Sequence, residues 1–216
     1  HLLEMANIRE HCSWVHYDDP VAATQKAKDL VRSSVARARL LQPLLRTKGQ
    51  VLPEVMVIGG GVAGISAALY LGGMGIKTYL VEKEPSIGGH MAMLDKTFPT
   101  LDCSLCILSP KMVEVAECEN IKILSYSQVE KVEGQVGNFR VQVRRKPRYV
   151  NEDKCVGCGD CVAKCPVKVN DEFNRNMGTR KAIYIPFPQA IPPAYVIDDE
   201  NCRYLTQGKC KICQAV

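Results

Sequence analysis

Val55-Met56-Val57-Ile58-Gly59-Gly60-Gly61-Val62-Ala63-Gly64 is the stretch on which the fold of this chain turns. Four apolar residues make a short buried strand, and the run then breaks into glycines. Gly59, Gly61 and Gly64 occupy the three fixed positions of a G-x-G-x-x-G pattern, with a helix expected over 64–75 and closed by Gly75. Between a strand and a helix, each glycine has a job. Gly59 allows the tight turn, Gly61 lets the backbone approach a pyrophosphate, and Gly64 lets the helix pack closely on the strand. The helix N-terminus then turns unpaired amides toward the phosphates, with Val62 and Ala63 of the loop counted among the cofactor-binding residues.

Outward from this loop, Lys77-Thr78-Tyr79-Leu80-Val81 reads as a second strand. It ends at Glu82, eighteen residues past Gly64, where an acid hydrogen-bonds a ribose hydroxyl. Ile121-Lys122-Ile123-Leu124 and Phe139-Arg140-Val141-Gln142-Val143 add two strands, the second alternating with period two after a turn at Gly137-Asn138. Strand and helix alternate across residues 51–150, the pattern of an α/β, Rossmann-like nucleotide-binding domain. The glycine loop alone suits NAD as well as FAD. The run Glu82-Lys83-Glu84-Pro85-Ser86-Ile87-Gly88-Gly89 resembles the E-x-x-x-x-x-G-G extension of two-domain flavoproteins, which points to FAD and places Lys83, Gly88 and Gly89 beside it. His90 follows directly, either as a flavin neighbour or as a plain loop histidine.

From Lys154 the composition changes to Cys, Pro and Gly, and periodicity fades. Such a segment needs a staple. The chain has 11 cysteines, an odd number that argues against a complete disulfide framework. Their clustering points to metal ligation in a reducing compartment, hence the cytoplasm. Cys155-x₂-Cys158-x₂-Cys161-x₃-Cys165-Pro166 matches the bacterial ferredoxin run, in which three thiolates hold one [4Fe–4S] cluster and the fourth reaches a second. Zinc would want two pairs separated by a longer stretch. Cys202-x₇-Cys210-x₂-Cys213 is a second set with five residues more than the standard spacing between its first two members; a surface loop absorbs these at little entropic cost. Crossed ligation predicts one cluster on Cys165, Cys202, Cys210 and Cys213. The other takes Cys155, Cys158 and Cys161, its fourth ligand falling four residues after Cys213, the first position beyond Val216.

Cys103-Ser104-Leu105-Cys106 sits at about the distance from the glycine loop where flavin disulfide reductases place a redox-active pair. Three readings stand: a dithiol exchanging with flavin, ligands to an additional cluster, or inert thiols. Cys118 belongs to no motif and reads as structural.

Residues 1–50 look helical and basic. Asp19 caps a helix that Pro20 opens, and an apolar series through Val21, Leu30, Val31, Val35, Ala38 and Leu41 follows a helical period. Pro43 and Thr47-Lys48-Gly49 end it and form a linker. The first residue is His1 and no signal pattern follows, so the chain is processed or part of a longer polypeptide. No apolar run is long enough to span a membrane. The net charge of +5 counts every thiol as neutral. Each four-thiolate cluster carries roughly −2, so two bring the chain near neutrality and no case for nucleic acid remains.

Gly88-Gly89-His90-Met91-Ala92, Lys96-Thr97-Phe98-Pro99-Thr100-Leu101-Asp102-Cys103 and Pro110-Lys111-Met112 together resemble the A subunit of heterodisulfide reductase. Asn7 to His16 and Arg180-Lys181-Ala182-Ile183-Tyr184-Ile185-Pro186-Phe187-Pro188-Gln189-Ala190 carry the same likeness. The resemblance implies a thioredoxin-reductase-like FAD domain, here incomplete, with an inserted α+β ferredoxin-like domain at 151–216 holding two [4Fe–4S] clusters. Residues 1–50 would then be the helical tail of a preceding region. It also implies at least one further cluster, for which Cys12, Cys103 and Cys106 are candidate ligands. Electron bifurcation at FAD would link a hydrogenase or formate dehydrogenase module, ferredoxin, and the B and C subunits, with the disulfide-cleaving site outside the FAD-bearing polypeptide. Related flavoproteins of sulfate reducers share the flavin motifs but serve quinones; the ferredoxin run favours the heterodisulfide-reductase type.

Overall fold

Glu54–Ile58 (β1), Val62–Gly73 (α1), Lys77–Val81 (β2), Ser104–Glu117 (α2) and Ile121–Leu124 (β3) form a parallel three-stranded sheet in the order β1-β2-β3, with both helices packed against it. In this computed structural model residues 2–45 and 48–215 are described. The register pairs Glu54 with Lys77 and Thr78 with Ile121, so the carboxyl ends of the strands, where the glycine loop and Glu82 lie, are level. This is the α/β nucleotide-binding arrangement expected from the sequence. Helix α1 starts at Val62, two residues before the expected start, because the chain turns helical directly after the extended Gly61. It stops at Gly73, and Gly75, at φ +76°, donates to the Gly72 carbonyl just beyond the cap.

The core is built from Ile65 and Ala68 of α1, Leu80 of β2, Leu108, Met112 and Val115 of α2, and Ile87, with Phe187 and Ala190 from far along the chain. Gly72 has no side chain because Cys118 Sγ and Ile121 fill the space where one would go; a Cβ there would lie 2.9 Å from that sulfur. Cys118 therefore packs as a small apolar group, the structural role expected of it.

Ser127–Gln135 (β4) and Asn138–Arg145 (β5) form an antiparallel hairpin with a bulge between Val129 and Lys131. The sequence pattern reveals β5 and its turn but not β4, whose Glu and Lys residues mask the alternation. Beyond it, Asp160–Lys164 (α3), Lys168–Asn170 (β6), Thr179–Lys181 (β7), Ile183–Tyr184 (β8), Val196–Ile197 (β9) and Arg203–Gln207 (α4) make a region of short elements. Two hairpin pairs, β6–β7 and β8–β9, give it the α+β character of a ferredoxin-like module.

The chain divides into two compact units, His1–Gly49 and Gln50–Val216. The expected division at residues 150 and 151 falls inside the second. The first unit holds a helix at Pro20–Leu40, with Pro20 at its first turn and the Asp19 carboxylate accepting from the Val21 and Ala22 amides at 3.1 and 2.9 Å. None of the helix's residues is buried, so the apolar series at Val21, Val31 and Val35 faces outward within that unit. Of the expected linker, Thr47 lies outside the described residues. Among them no helix is long and apolar enough to cross a membrane.

Candidate cofactor sites

The two glycine motifs close on each other. Gly88 N–H donates to the Gly60 carbonyl at 2.7 Å, and Gly61 and Gly88 form an isolated parallel bridge. Gly88 and Gly89 sit at φ +125° and +58°, where L side chains are strained, and a Cβ on Gly89 would lie 2.8 Å from Gly61 Cα. Gly64 packs hardest: a Cβ there would meet the Gly59 carbonyl oxygen at 1.9 Å. At Gly61 the reverse holds. A Cβ would meet nothing within 4 Å, so its absence leaves an open approach to the start of α1 rather than relieving a clash. No side chain caps α1, which leaves the Val62 and Ala63 amides without helical partners.

Glu82 is buried at 6% exposure. Its Oε2 accepts from Gly60 N–H at 2.7 Å and its Oε1 from Glu84 N–H at 2.9 Å. The acid therefore braces the glycine loop, while each oxygen keeps a lone pair for a ribose hydroxyl. Gly61, Glu82, Lys83, Gly89 and His90 line one cavity of about 650 Å³, a size suited to a nucleotide cofactor. Lys83 is exposed at its rim and lies 3.8 Å from Glu84. Open glycines, free helix amides and a buried acid at the strand end fit FAD.

The ferredoxin-like thiols gather in two groups. Asn151 opens a turn whose carbonyl accepts from Cys155 N–H at 3.0 Å, and Gly157 and Gly159 at positive φ wrap the chain so that Cys158 and Cys161 return toward Cys155. Cys161 rides on α3 and Cys165 ends it. Cys202 caps α4, and Gly208, left-handed at φ +70°, turns the chain toward Cys210 and Cys213. Cys155, Cys158 and Cys161 line a cavity of about 470 Å³ with Cys202, Cys210 and Cys213. Cys165 shares a smaller cavity with Cys202, Cys210 and Cys213. Burial pushes the Cys161 thiol up, reinforced by Cys155 and Cys158. Burial likewise pushes Cys213 up, with Cys202, Cys165 and Cys210 adding to it. Crowded half-buried thiols resist ionising together, a load that iron relieves.

Among the described residues no three His, Cys, Asp or Glu side chains converge on a point that could hold a single metal ion. The thiols surround cavities instead, which is the donor arrangement a cubane body needs.

Cys103 caps α2, its sulfur accepting from Cys106 N–H at 3.3 Å. Both thiols are exposed. The Cys106 thiol and amide hold Cys103 below the ordinary thiol range, and Cys106 is pushed up by the same contact. Cys12, in the other unit, is buried, and its thiol donates to the Ala23 carbonyl at 2.8 Å.

Sequence reasoning missed several side chains that hold these sites. Arg148, 5% exposed, donates to the Pro85 and Ala194 carbonyls and to Ser125 Oγ, and pairs with Glu152 at 2.9 Å. Ser86 Oγ accepts from Ile191 N–H at 2.9 Å. Tyr195 is buried near Cys155, Cys158 and Cys161, and burial followed by those thiols pushes its hydroxyl up. None of these lies in a motif; only the tertiary fold brings them in.

Two family models match: FAD dependent oxidoreductase over residues 54–99 and 4Fe-4S binding domain over residues 148–169. They bear out FAD and [4Fe–4S] clusters as the cofactors. Across all of this chain it is 55% identical to the A subunit of H(2):CoB-CoM heterodisulfide,ferredoxin reductase from Methanothermobacter marburgensis, of which it covers 32%. It is 62% identical, over 90% of its length, to the second iron-sulfur A subunit of CoB--CoM heterodisulfide reductase from Methanopyrus kandleri, covering 30% of that protein. Against the A subunit of Ferredoxin/F(420)H(2)-dependent CoB-CoM heterodisulfide reductase from Methanosarcina acetivorans it is 50% identical over 99% of this chain and 26% of the relative. The chain thus spans about a third of the length of the curated relatives it matches.

Proposed function

We propose that this chain, 55% and 62% identical to A subunits of heterodisulfide reductases, belongs to that family and passes electrons between FAD and [4Fe–4S] clusters within such an oxidoreductase complex. Bound here, FAD exchanges electrons in pairs or singly and the clusters carry them singly. The chain's own residues hold and orient these groups. Val62 and Ala63 amides receive the pyrophosphate across Gly59, Gly61 and Gly64; Glu82 takes a ribose; Lys83, Gly88, Gly89 and His90 border the rest. Cys155, Cys158 and Cys161 hold one cluster, and Cys165, Cys202, Cys210 and Cys213 the other. In this reading 51–150 is the FAD-binding region, 151–216 the ferredoxin-like insert and 1–50 a helical tail, in a cytoplasmic protein.

The finer reading is bifurcation. Held by these residues, FAD would supply the two-electron to one-electron chemistry that links a hydrogenase or formate dehydrogenase module to ferredoxin on one side and, with the B and C subunits as partners, to the disulfide-reducing B subunit on the other. The single observation that carries electron transfer is that both thiol groups lie in the same compact unit as the dinucleotide cavity. Iron, acid-labile sulfide and flavin analysis on protein purified without oxygen tests it, followed by redox titration. Absent iron and flavin, or a flavin silent across roughly −700 to +450 mV, would sink the reading.

One observation favours a second role for Cys103 and Cys106. A thiol held down at a helix start, beside a partner thiol, is the arrangement of a reactive pair. Cys103 and Cys106 are otherwise candidate ligands of an additional cluster. Alkylating the anaerobic protein separates the two: loss of disulfide turnover with iron content unchanged supports the dithiol, and protection by bound iron supports ligation.

A further inference from the structure

The dinucleotide cavity is not built by the dinucleotide half alone. Part of its lining comes from the ferredoxin-like region: Asp171, Phe173, Arg175, Arg180 and Phe187. Phe187 is buried in the same core as Leu80 and Met112, and its ring stacks on Phe173 with centroids 5.1 Å apart and planes 22° from parallel. It also covers Gly88, where a Cβ would meet the ring at 3.3 Å. Next to it the backbone is pinned to the flavin motif, since Ile87 N–H donates to the Ile191 carbonyl at 3.1 Å.

A dinucleotide brings a doubly charged pyrophosphate, and Gly59-Gly60-Gly61-Val62-Ala63-Gly64 offers it amides but no cation. The charges around the cavity are mostly committed. Both Glu82 oxygens hold loop amides. Lys83 faces Glu84. Arg180 is tied to Glu172 at 2.7 Å and Asp198 at 2.9 Å. Asp171 accepts from the Asn174 amide at 3.4 Å. Arg175 differs. Among the described residues its guanidinium forms no ion pair. It stands on the β6–β7 loop, which is locked by Arg175 N–H to the Glu172 carbonyl at 3.1 Å, Asn176 N–H to the Asp171 carbonyl at 2.8 Å and Asp171 N–H to the Gly178 carbonyl at 3.1 Å.

We propose that the β6–β7 loop of the ferredoxin-like region is a wall of the FAD site and that Arg175 supplies the countercharge to the cofactor's pyrophosphate. The proposal rests on the FAD reading above and extends it. A guanidinium meets two phosphate oxygens at once, so its loss removes charge-assisted bonds rather than mere proximity. It also makes flavin affinity depend on the cluster-bearing segment being folded.

The test uses the full chain, purified without oxygen with its clusters, stripped of flavin and titrated with FAD or with phosphate-free riboflavin at low and high salt. Arg175→Ala is expected to raise the Kd for FAD about tenfold or more, to flatten its salt dependence, and to leave riboflavin binding unchanged. Arg175→Lys recovers part of the loss. Should Arg175→Ala lose its iron, Arg175→Gln, which keeps length and hydrogen-bonding capacity without charge, decides by the same readout. A neutral variant with wild-type Kd and wild-type salt dependence overturns the proposal with the FAD reading intact. A wild-type chain that binds no FAD at any ionic strength removes both.

Discussion

Gly61 and Gly64 look alike in the motif and do opposite work in the fold. Gly64 is a packing residue, for a Cβ at 1.9 Å from the Gly59 oxygen forces helix and strand apart. Gly61 packs against nothing, since it is extended at φ −74° and a Cβ there would meet only open space, the approach that the proposed FAD site uses. Gly61→Ala is therefore expected to unfold at the wild-type temperature in its flavin-free form yet bind FAD at least about tenfold more weakly, because the methyl occupies the pyrophosphate approach. Gly64→Ala should lower the melting temperature itself. Calorimetry of the stripped proteins and FAD titration check both, and a Gly61→Ala protein with normal affinity would contradict the assignment. Tyr184 offers a pH test. Burial pushes its hydroxyl up to about 12, with Arg180 opposing. The folded state holds that proton where the unfolded chain, with an ordinary value near ~10, has lost it. Stability is thus unaffected below about pH 10 and falls as pH rises from there toward 12. Tyrosinate absorbance should show late-titrating groups in the folded protein, Tyr126 and Tyr195 as well as Tyr184, with one of these lost in Tyr184→Phe.

At the scale of elements, legibility followed physical locality. The strand, glycine loop and first helix of the sheet were readable because each rests on neighbours in sequence: apolar run, positive-φ glycine, free helix amides. The ferredoxin thiols were readable because ligand spacing is itself local chemistry. Asp19 and Pro20 announced the N-terminal helix through capping, and Asp19→Ala is expected to destabilise it by about 1 kcal/mol, read as lost helical circular dichroism on heating. Its apolar series follows a helical period, yet that unit buries none of the helix's residues, because period alone cannot say what covers a face. Strand β4 was missed since five of its nine residues are Gln, Glu or Lys and it is mostly exposed. Arg148 was invisible for the same reason in reverse. Nothing in Lys146-Pro147-Arg148 says that the guanidinium turns inward to hold the carbonyls of Pro85 and Ala194. Replacing it with Met leaves those acceptors and Glu152 without their partner, at a cost of about 3 kcal/mol measured by denaturant unfolding of the iron-loaded protein. Unchanged stability would show that the carbonyls find water instead.

For the second unit as a whole, the question is whether its flavin and cluster parts are separate bodies. Phe187 and Ala190 lie beyond the ferredoxin run in sequence but within the core of the dinucleotide sheet. Arg148 and the Ser86–Ile191 bond cross the same boundary. Short elements between residues 151 and 215 bury few large apolar side chains of their own, so cluster ligation and this shared core must together hold them. Loss of either should be felt by the other. Phe187→Ala removes a fully packed ring and is expected to cost about 3–5 kcal/mol. It should also release both cofactors. On heating the wild-type chain anaerobically, the rise of flavin fluorescence and the bleaching of iron–sulfur absorbance should coincide, and removing iron with a chelator should weaken FAD binding before any heating. Two well-separated transitions, with flavin retained after the clusters are gone, would mean that the ferredoxin-like region is a tethered module. In that case the electron path would depend on a mobile contact, and the coupling of flavin affinity to the cluster segment through Phe187 and Arg175 would have no structural basis.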